Sequence, residues 1–138
     1  MNRGLSGFPG ILYPQMIATS LSTDRISTST STLTPKFAKA NIAASTTDGA
    51  IISAVTGKKI RVLAIVFMSA ATATTVTFNT KPGGSGTAIS CAFATAANGG
   101  ACISFCPVGW FETNSGEGLT ATTGSGSTVG IQVVYVEV

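Results

Sequence analysis

The sequence predicts an all-β protein: a single antiparallel β-sandwich of the jelly-roll kind, with about eight strands and an extended N-terminal arm. Three observations lead to this prediction. Charged residues make up only 9% of the chain, and Ser, Thr and Gly are abundant instead; these residue types favour strands and turns over helices. Short apolar or alternating segments recur between Gly, Asn and Pro residues, which is typical of antiparallel sandwiches and barrels. The length of 138 residues fits one domain.

The N-terminal arm is predicted to comprise residues 1–38. Residues 19–34 are rich in Ser and Thr and carry few large apolar side chains, so they cannot bury enough surface to fold alone. The excess of cations up to Lys39 equals the net charge of +3 of the whole chain. These cations are too sparse for a nucleic-acid-binding arm, so we expect no nucleic acid partner. The arm either contacts an acidic or polar partner, most simply a neighbouring subunit, or is a solvated tail.

The sandwich body is predicted to comprise residues 39–138. Period-two alternation is clearest at 74–80 and 129–138, and the last strand is apolar on both faces. That strand is therefore expected either between two layers or with its outer face against a neighbour. The predicted strands are 39–45, 50–55, 59–69, 74–80, 87–94, 101–106, 110–113 followed by 119–122 after a turn, and 129–138.

The sequence gives no indication of membrane insertion or export. No segment reaches the roughly 18 continuous apolar residues of a membrane-spanning helix. Pro9 and Pro14 interrupt the N-terminal region, which lacks the apolar core of a secretory signal. We expect synthesis and use in the cytosol and no membrane partner.

Three cysteines, Cys91, Cys102 and Cys106, occur without an export signal, which predicts reduced thiols that act as small core hydrophobes. On one strand Cys102 and Cys106 would lie about 13 Å apart, too far for a disulfide. A cross-strand pair of Cys91 and Cys102 remains open. The chain has no histidine, and three thiols do not complete the usual four-ligand zinc site, so neither a metal nor a cofactor is expected.

The sequence offers little for catalysis, and we predict that the chain is not an enzyme. Without histidine, Ser-His and Cys-His catalysis are excluded. Glu112 and Glu117 could form the carboxylate pair of a glycosidase, but they flank one turn, which favours solvated or turn-bonding roles. Residues 81–86 lack the spaced Gly-Lys-Ser/Thr of a phosphate loop and are expected to form a hairpin loop.

Trp110 and Phe111 form the largest aromatic cluster of the sequence. They could stack on a sugar ring, as in a lectin-like receptor-binding module. The favoured interpretation is that Trp110 fills the core or an intersubunit contact.

Four segments resemble the small virion proteins of tailed bacteriophages: 57–65 (GKKIRVLAI), 107–113 (PVGWFET), 116–119 (GEGL) and 129–136 (VGIQVVYV). The resemblance implies a jelly-roll domain that decorates or cements the capsid surface of the virion, often as a homotrimer at a threefold position. The implied partners are the major capsid protein and further copies of the chain, and no catalytic or ligand residue comes with the resemblance. A tail-fibre or glycan-binding receptor module is the alternative. The candidate residues for capsid or subunit contact are Arg3, Phe8, Tyr13, Arg25, Lys36, Trp110, Phe111 and Tyr135.

Overall fold

Residues 33–138, the part of the chain that the computed structural model describes, form two antiparallel β-sheets and no helix. The predicted arm, apart from residues 33–38, lies outside this part. The strands are β1 (Lys36–Ile42), β2 (Gly49–Ile52), β3 (Ile60–Ser69), β4 (Thr74–Lys81), β5 (Thr87–Ala88), β6 (Phe93–Thr95), β7 (Gly100–Ile103), β8 (Phe111–Glu112), β9 (Gly118–Thr123) and β10 (Val129–Glu137).

The strand order is that of a jelly roll. The first sheet has the order β1-β10-β3-β7, with β8 also paired to β3, and the second has the order β2-β9-β4-β5, with β6 also paired to β4. If β5 with β6, and β7 with β8, each count as one interrupted strand, eight strands remain. The chain then alternates between the sheets except at the β4–β5 hairpin, which gives the two interleaved Greek keys of a jelly roll. The predicted fold class is confirmed for these residues.

Two local differences from the predicted elements have physical causes. β1 pairs with β10 from Lys36 onward, so residues 36–38, which were assigned to the arm, belong to the first sheet. The predicted strand 87–94 is interrupted because the Ser90 hydroxyl accepts a hydrogen bond from the Phe78 amide (2.9 Å) and donates one to the Cys91 carbonyl (2.8 Å). The Phe78 amide, which would bond to a backbone carbonyl of a regular neighbouring strand, thus bonds to a side chain instead.

The main core lies between the two sheets and contains a cluster of four phenylalanine rings. Phe67 from the first sheet contacts Phe78 and Phe93 from the second, with ring centroids 5.7 and 5.3 Å apart. Phe111 stacks on Phe78 at 5.5 Å. Full burial of each large apolar side chain stabilises the fold by about 1.5–3 kcal/mol, so this cluster fixes how the sheets face each other.

A second, smaller cluster lies on the opposite side of the first sheet, at one end of β3 and β10. The register shifts between Val134, which pairs with Ala64, and Tyr135, which pairs with Val62. Leu63 is therefore an extra residue on β3, as in a β-bulge. It is fully buried together with Val136, and Leu33, Val134 and Val138 pack around them.

Candidate functional site

An apolar groove lies on the outer face of the first sheet. Inward-facing Ile65 and Phe67 of β3 alternate with outward-facing Val66 and Met68, because successive side chains of a strand point to opposite faces. We call this surface the outer groove. It encloses about 600 Å³, and its residues include Phe37, Lys39, Ala64, Val66, Cys102, Phe105, Gln132 and Val134.

Several side chains of the outer groove are more exposed than large apolar groups usually are. Phe37 is 79% exposed, Phe105 56% and Val66 39%. Met68, which lines the continuation of the groove, is 57% exposed. A continuous apolar surface of this kind is characteristic of an interaction site.

One row of residues across the groove changes from polar to apolar. The strand register aligns four residues across the sheet, from Lys39 on β1 through Gln132 and Val66 to Cys102 on β7. Within residues 33–138, the Lys39 ammonium has no ion-pair partner and the Gln132 amide group has no hydrogen bond. A ligand could place a carboxylate at Lys39 on β1, beside the exposed ring of Phe37, and apolar groups along β3 and β7.

A second apolar surface lies on the loop between β7 and β8 and shares Phe105 with the groove. We call Phe105, Val108 and Trp110 the loop patch; Val108 is 44% exposed and Trp110 49%. The Trp110 Nε1–H donates a hydrogen bond to the Ser104 carbonyl (2.7 Å), which fixes the orientation of the indole. The prediction that Trp110 could fill the core is wrong, because its ring lies at the surface.

Backbone bonds and a buried ion pair hold this loop against β3. The Trp110 amide donates to the Val62 carbonyl at 2.9 Å. Beneath the loop, Arg61 Nε donates to Glu112 Oε2 (3.0 Å), and Lys59 Nζ lies 3.3 Å from Glu112 Oε1. Burial disfavours the charged carboxylate, but the hydrogen bonds from Arg61 and Lys59 outweigh it and hold the pKa of Glu112 below its usual value.

The other candidate contact residues in the described part are less available to a partner than the loop patch. Phe111 packs its ring on Phe78 in the core. Tyr135 lies in the same core and is 9% exposed, because the inward positions of β10 alternate with Gln132 and Val134. Lys36 is bound within the domain by Glu137 at 2.7 Å, a hydrogen bond that raises the pKa of Lys36. Arg3, Phe8, Tyr13 and Arg25 lie outside the described residues.

The prediction that the cysteines are small core residues is wrong. Cys91 and Cys102 are exposed, Cys106 is half-buried, and all three are free thiols. On β7 the neighbours Ala101 and Ile103 pack against the core, so the alternation of the strand turns Cys102 outward into the groove.

The carboxylates at the turns bind within the domain. Glu117 Oε2 accepts hydrogen bonds from the Thr80 hydroxyl (2.6 Å) and the Asn114 amide (3.2 Å), which confirms a turn-bonding role for Glu117, whereas Glu112 holds Arg61. Residues 81–86 form the loop of the β4–β5 hairpin, as predicted. Among residues 33–138, no cluster of acidic residues and cysteines is suited to hold a metal ion, and no helix could span a membrane.

Comparison with protein-family models, with curated proteins and with solved structures finds no match to this chain.

Proposed function

We propose that this chain is a structural subunit of a larger assembly, a decoration or cement protein that binds across neighbouring subunits of a bacteriophage capsid. The observation that carries the proposal is the continuous apolar surface formed by the outer groove and the loop patch. In a free monomer this surface would face water.

Association with a partner would bury these exposed apolar side chains, which is favourable in free energy. Each large apolar side chain that passes from full exposure to full burial contributes about 1.5–3 kcal/mol, and the partly exposed side chains here contribute a share of it. Lys39 is the charged side chain on the groove, so association removes few ions from water. The rigid two-sheet body suits a clamp between neighbouring subunits.

The four carboxylate side chains of residues 33–138 support a structural role over a catalytic one. Asp48, Glu112, Glu117 and Glu137 all bind groups of the same domain through hydrogen bonds or ion pairs. A general acid or base needs a position from which it can reach a substrate, whereas these groups fasten loops and strands.

The assignment to a virion rests on the four segments that resemble small proteins of tailed bacteriophages. On that basis the partners would be the major capsid protein and further copies of this chain, arranged as a homotrimer on the capsid surface. The loop patch is the part of the surface that we assign to the capsid.

Binding of the full-length protein to undecorated phage capsids tests this proposal. We expect saturable binding that is weakened at least tenfold by Val108→Glu, which places a charge in the loop patch. Ala50→Glu is the matched control, because Ala50 is exposed on the second sheet, and it should bind as the unaltered protein does. The proposal fails if the unaltered protein does not bind capsids, or if both variants bind equally well.

A glycan-binding module is the second candidate, favoured by the half-exposed and fixed indole of Trp110. Its neighbours in the loop patch are apolar, whereas sugar recognition also needs hydrogen-bonding groups beside the ring. Binding of purified host surface polysaccharide that is lost in Trp110→Ala, together with no capsid binding, would favour this candidate over the first.

A further inference from the structure

We infer that the outer groove receives the N-terminal segment of a neighbouring copy of this chain, with Asp24 of that segment paired to Lys39 of the groove. The inference rests on the proposed function in one respect, that the chain assembles with its own copies. It goes further by naming the segment, the groove and the ion pair that joins them.

The distribution of acidic residues indicates Asp24 as the ion-pair partner of Lys39. The chain contains five Asp and Glu residues, and four of them lie in residues 33–138, where each one has partners inside its own domain: Asp48, Glu112, Glu117 and Glu137. Asp24 is the fifth. Lys39 has no ion-pair partner among the described residues, so the groove offers a cation to which a carboxylate can bind.

The residues around Asp24 match the other features of the groove. Ile17, Leu21 and Ile26 supply apolar side chains within ten positions, and Ala18, four Ser and Thr residues, Asp24 and Arg25 lie between them. In an extended segment Arg25 points to the opposite side from Asp24, away from Lys39. An extended segment of this composition can direct its carboxylate to Lys39 and its apolar groups to Val66 and the β7 side. The free amide group of Gln132, in the same row, can bond to its backbone.

The length of the segment and the place where it enters the domain fit a neighbour's groove. Leu33 packs beside Leu63 and Val136, at the end of the sheet face that carries the groove. Asp24 lies nine residues before Leu33, which corresponds to about 30 Å of extended chain. A domain of this size is roughly 30 Å across, so Asp24 can reach the next copy.

Each copy would then give one segment and receive one. This is a head-to-tail contact, and such contacts close into a ring when the rotation between copies allows it. In a closed ring every outer groove is filled, which agrees with the homotrimer of the proposed function.

Cysteine reactivity in the full-length protein tests the inference. Cys102 lies in the groove, and Cys91 lies in the connection between β5 and β6 of the other sheet; both are exposed in the isolated domain. We expect a thiol reagent such as iodoacetamide, followed by peptide mass analysis, to modify Cys102 at least tenfold more slowly than Cys91. Light scattering on the same samples should show an oligomer.

Charge reversal provides the control for specificity. Asp24→Lys and Lys39→Glu should each raise the labelling rate of Cys102 towards that of Cys91, and the double variant should restore protection because the pair is re-formed with opposite signs. Equal labelling of the two cysteines in the unaltered protein would overturn the inference. So would protection that neither single variant changes, or a monomer by light scattering.

The capsid-binding measurement separates this inference from the proposed function. If the protein binds capsids while Cys102 is unprotected, the segment does not occupy the groove and the decoration role stands. If Cys102 is protected in an oligomer that does not bind capsids, the segment exchange stands and the capsid role fails.

Discussion

The carboxylate of Asp48 accepts a hydrogen bond from the backbone amide of Gly86 at 2.8 Å, and this bond ties the β4–β5 hairpin loop to the residue that precedes β2. Asn79 Nδ2 donates to the same carboxylate at 2.8 Å, and Lys81 Nζ lies 3.4 Å away. The Asp48 side chain is only 5% exposed. A single side chain thus connects two loops across the second sheet.

These bonds make the stability of the protein dependent on pH. The Gly86 amide, followed by Asn79 and Lys81, lowers the pKa of Asp48 against the opposing effect of burial. A lowered pKa in the folded state means that the stabilisation is complete above the unfolded value of about 3.9 and is lost as the pH falls through the folded value. We expect Asp48→Asn to lower the free energy of unfolding by about 1–3 kcal/mol at pH 7. The difference between the two proteins should shrink below about pH 4.

Urea denaturation at several pH values measures this difference directly. Glu112 also titrates in this range, but it is present in both proteins, so the comparison isolates Asp48. A difference that stays constant from pH 7 to pH 2 would contradict the account.

The ion pair of Arg61 and Glu112 should be important for stability. Arg61 has a side chain that is 3% exposed, and removal of one partner of a buried pair leaves a charge with too little compensation. We expect Glu112→Ala to lower the free energy of unfolding by about 3 kcal/mol. Glu137→Ala, which removes the partner of the half-exposed Lys36, should leave the urea midpoint nearly unchanged. Equal effects of the two substitutions would show that burial is not the deciding factor.

Thr74 offers a site where a substitution should stabilise the protein. Its Oγ1 is buried and has no hydrogen-bond partner in the described part of the chain, and an unpaired buried hydroxyl is unfavourable. We expect Thr74→Val, which keeps the shape of the side chain, to raise the free energy of unfolding by about 1 kcal/mol. The control is Thr95→Val, because the buried Thr95 hydroxyl donates to the Thr74 carbonyl (3.1 Å); it should lower the free energy. Thermal unfolding of both variants tests whether the two changes in the free energy of unfolding have opposite signs.

Gly109 should not tolerate a side chain. It has a φ of 81°, and a Cβ at this position would lie 2.4 Å from Arg61 Cγ. Gly57→Ala is the matched control, since Gly57 has a φ of 70° but open space around it. We expect Gly57→Ala to cost about 1 kcal/mol from backbone strain alone and Gly109→Ala to cost clearly more. Similar losses in urea denaturation would mean that the loop can move away from Arg61.

The long strands could be predicted closely from the sequence. The predicted segments 59–69, 74–80 and 129–138 correspond to Ile60–Ser69, Thr74–Lys81 and Val129–Glu137, because β-branched and aromatic residues are frequent in them and Gly57, Pro82 and Gly126 each mark an end of one segment. The interruption at Ser90 could not be predicted, since it depends on a side-chain bond to Phe78 of the preceding strand β4.

The groove was harder to predict because β3 is apolar on both faces. The sequence cannot tell whether Ile65 and Phe67 or Val66 and Met68 face the second sheet, and this choice decides which pair forms the interaction surface. Cys102 is a related case. On the short strand β7, small side chains on both faces give no sign of which residues face inward, and composition alone favoured burial.

The antiparallel pairing of β1 with β10 has a mechanical consequence. Seven residue pairs join these strands, from Lys36 with Tyr135 to Ile42 with Val129. A force applied through the chain before Leu33, against a domain held at its far end, acts along β1 and loads the seven pairs together in shear. The same force applied between Leu33 and Val138, which lie in one cluster, would separate the pairs one after another. A tether at the N-terminal side would therefore resist tension far better than the same domain pulled by its two ends.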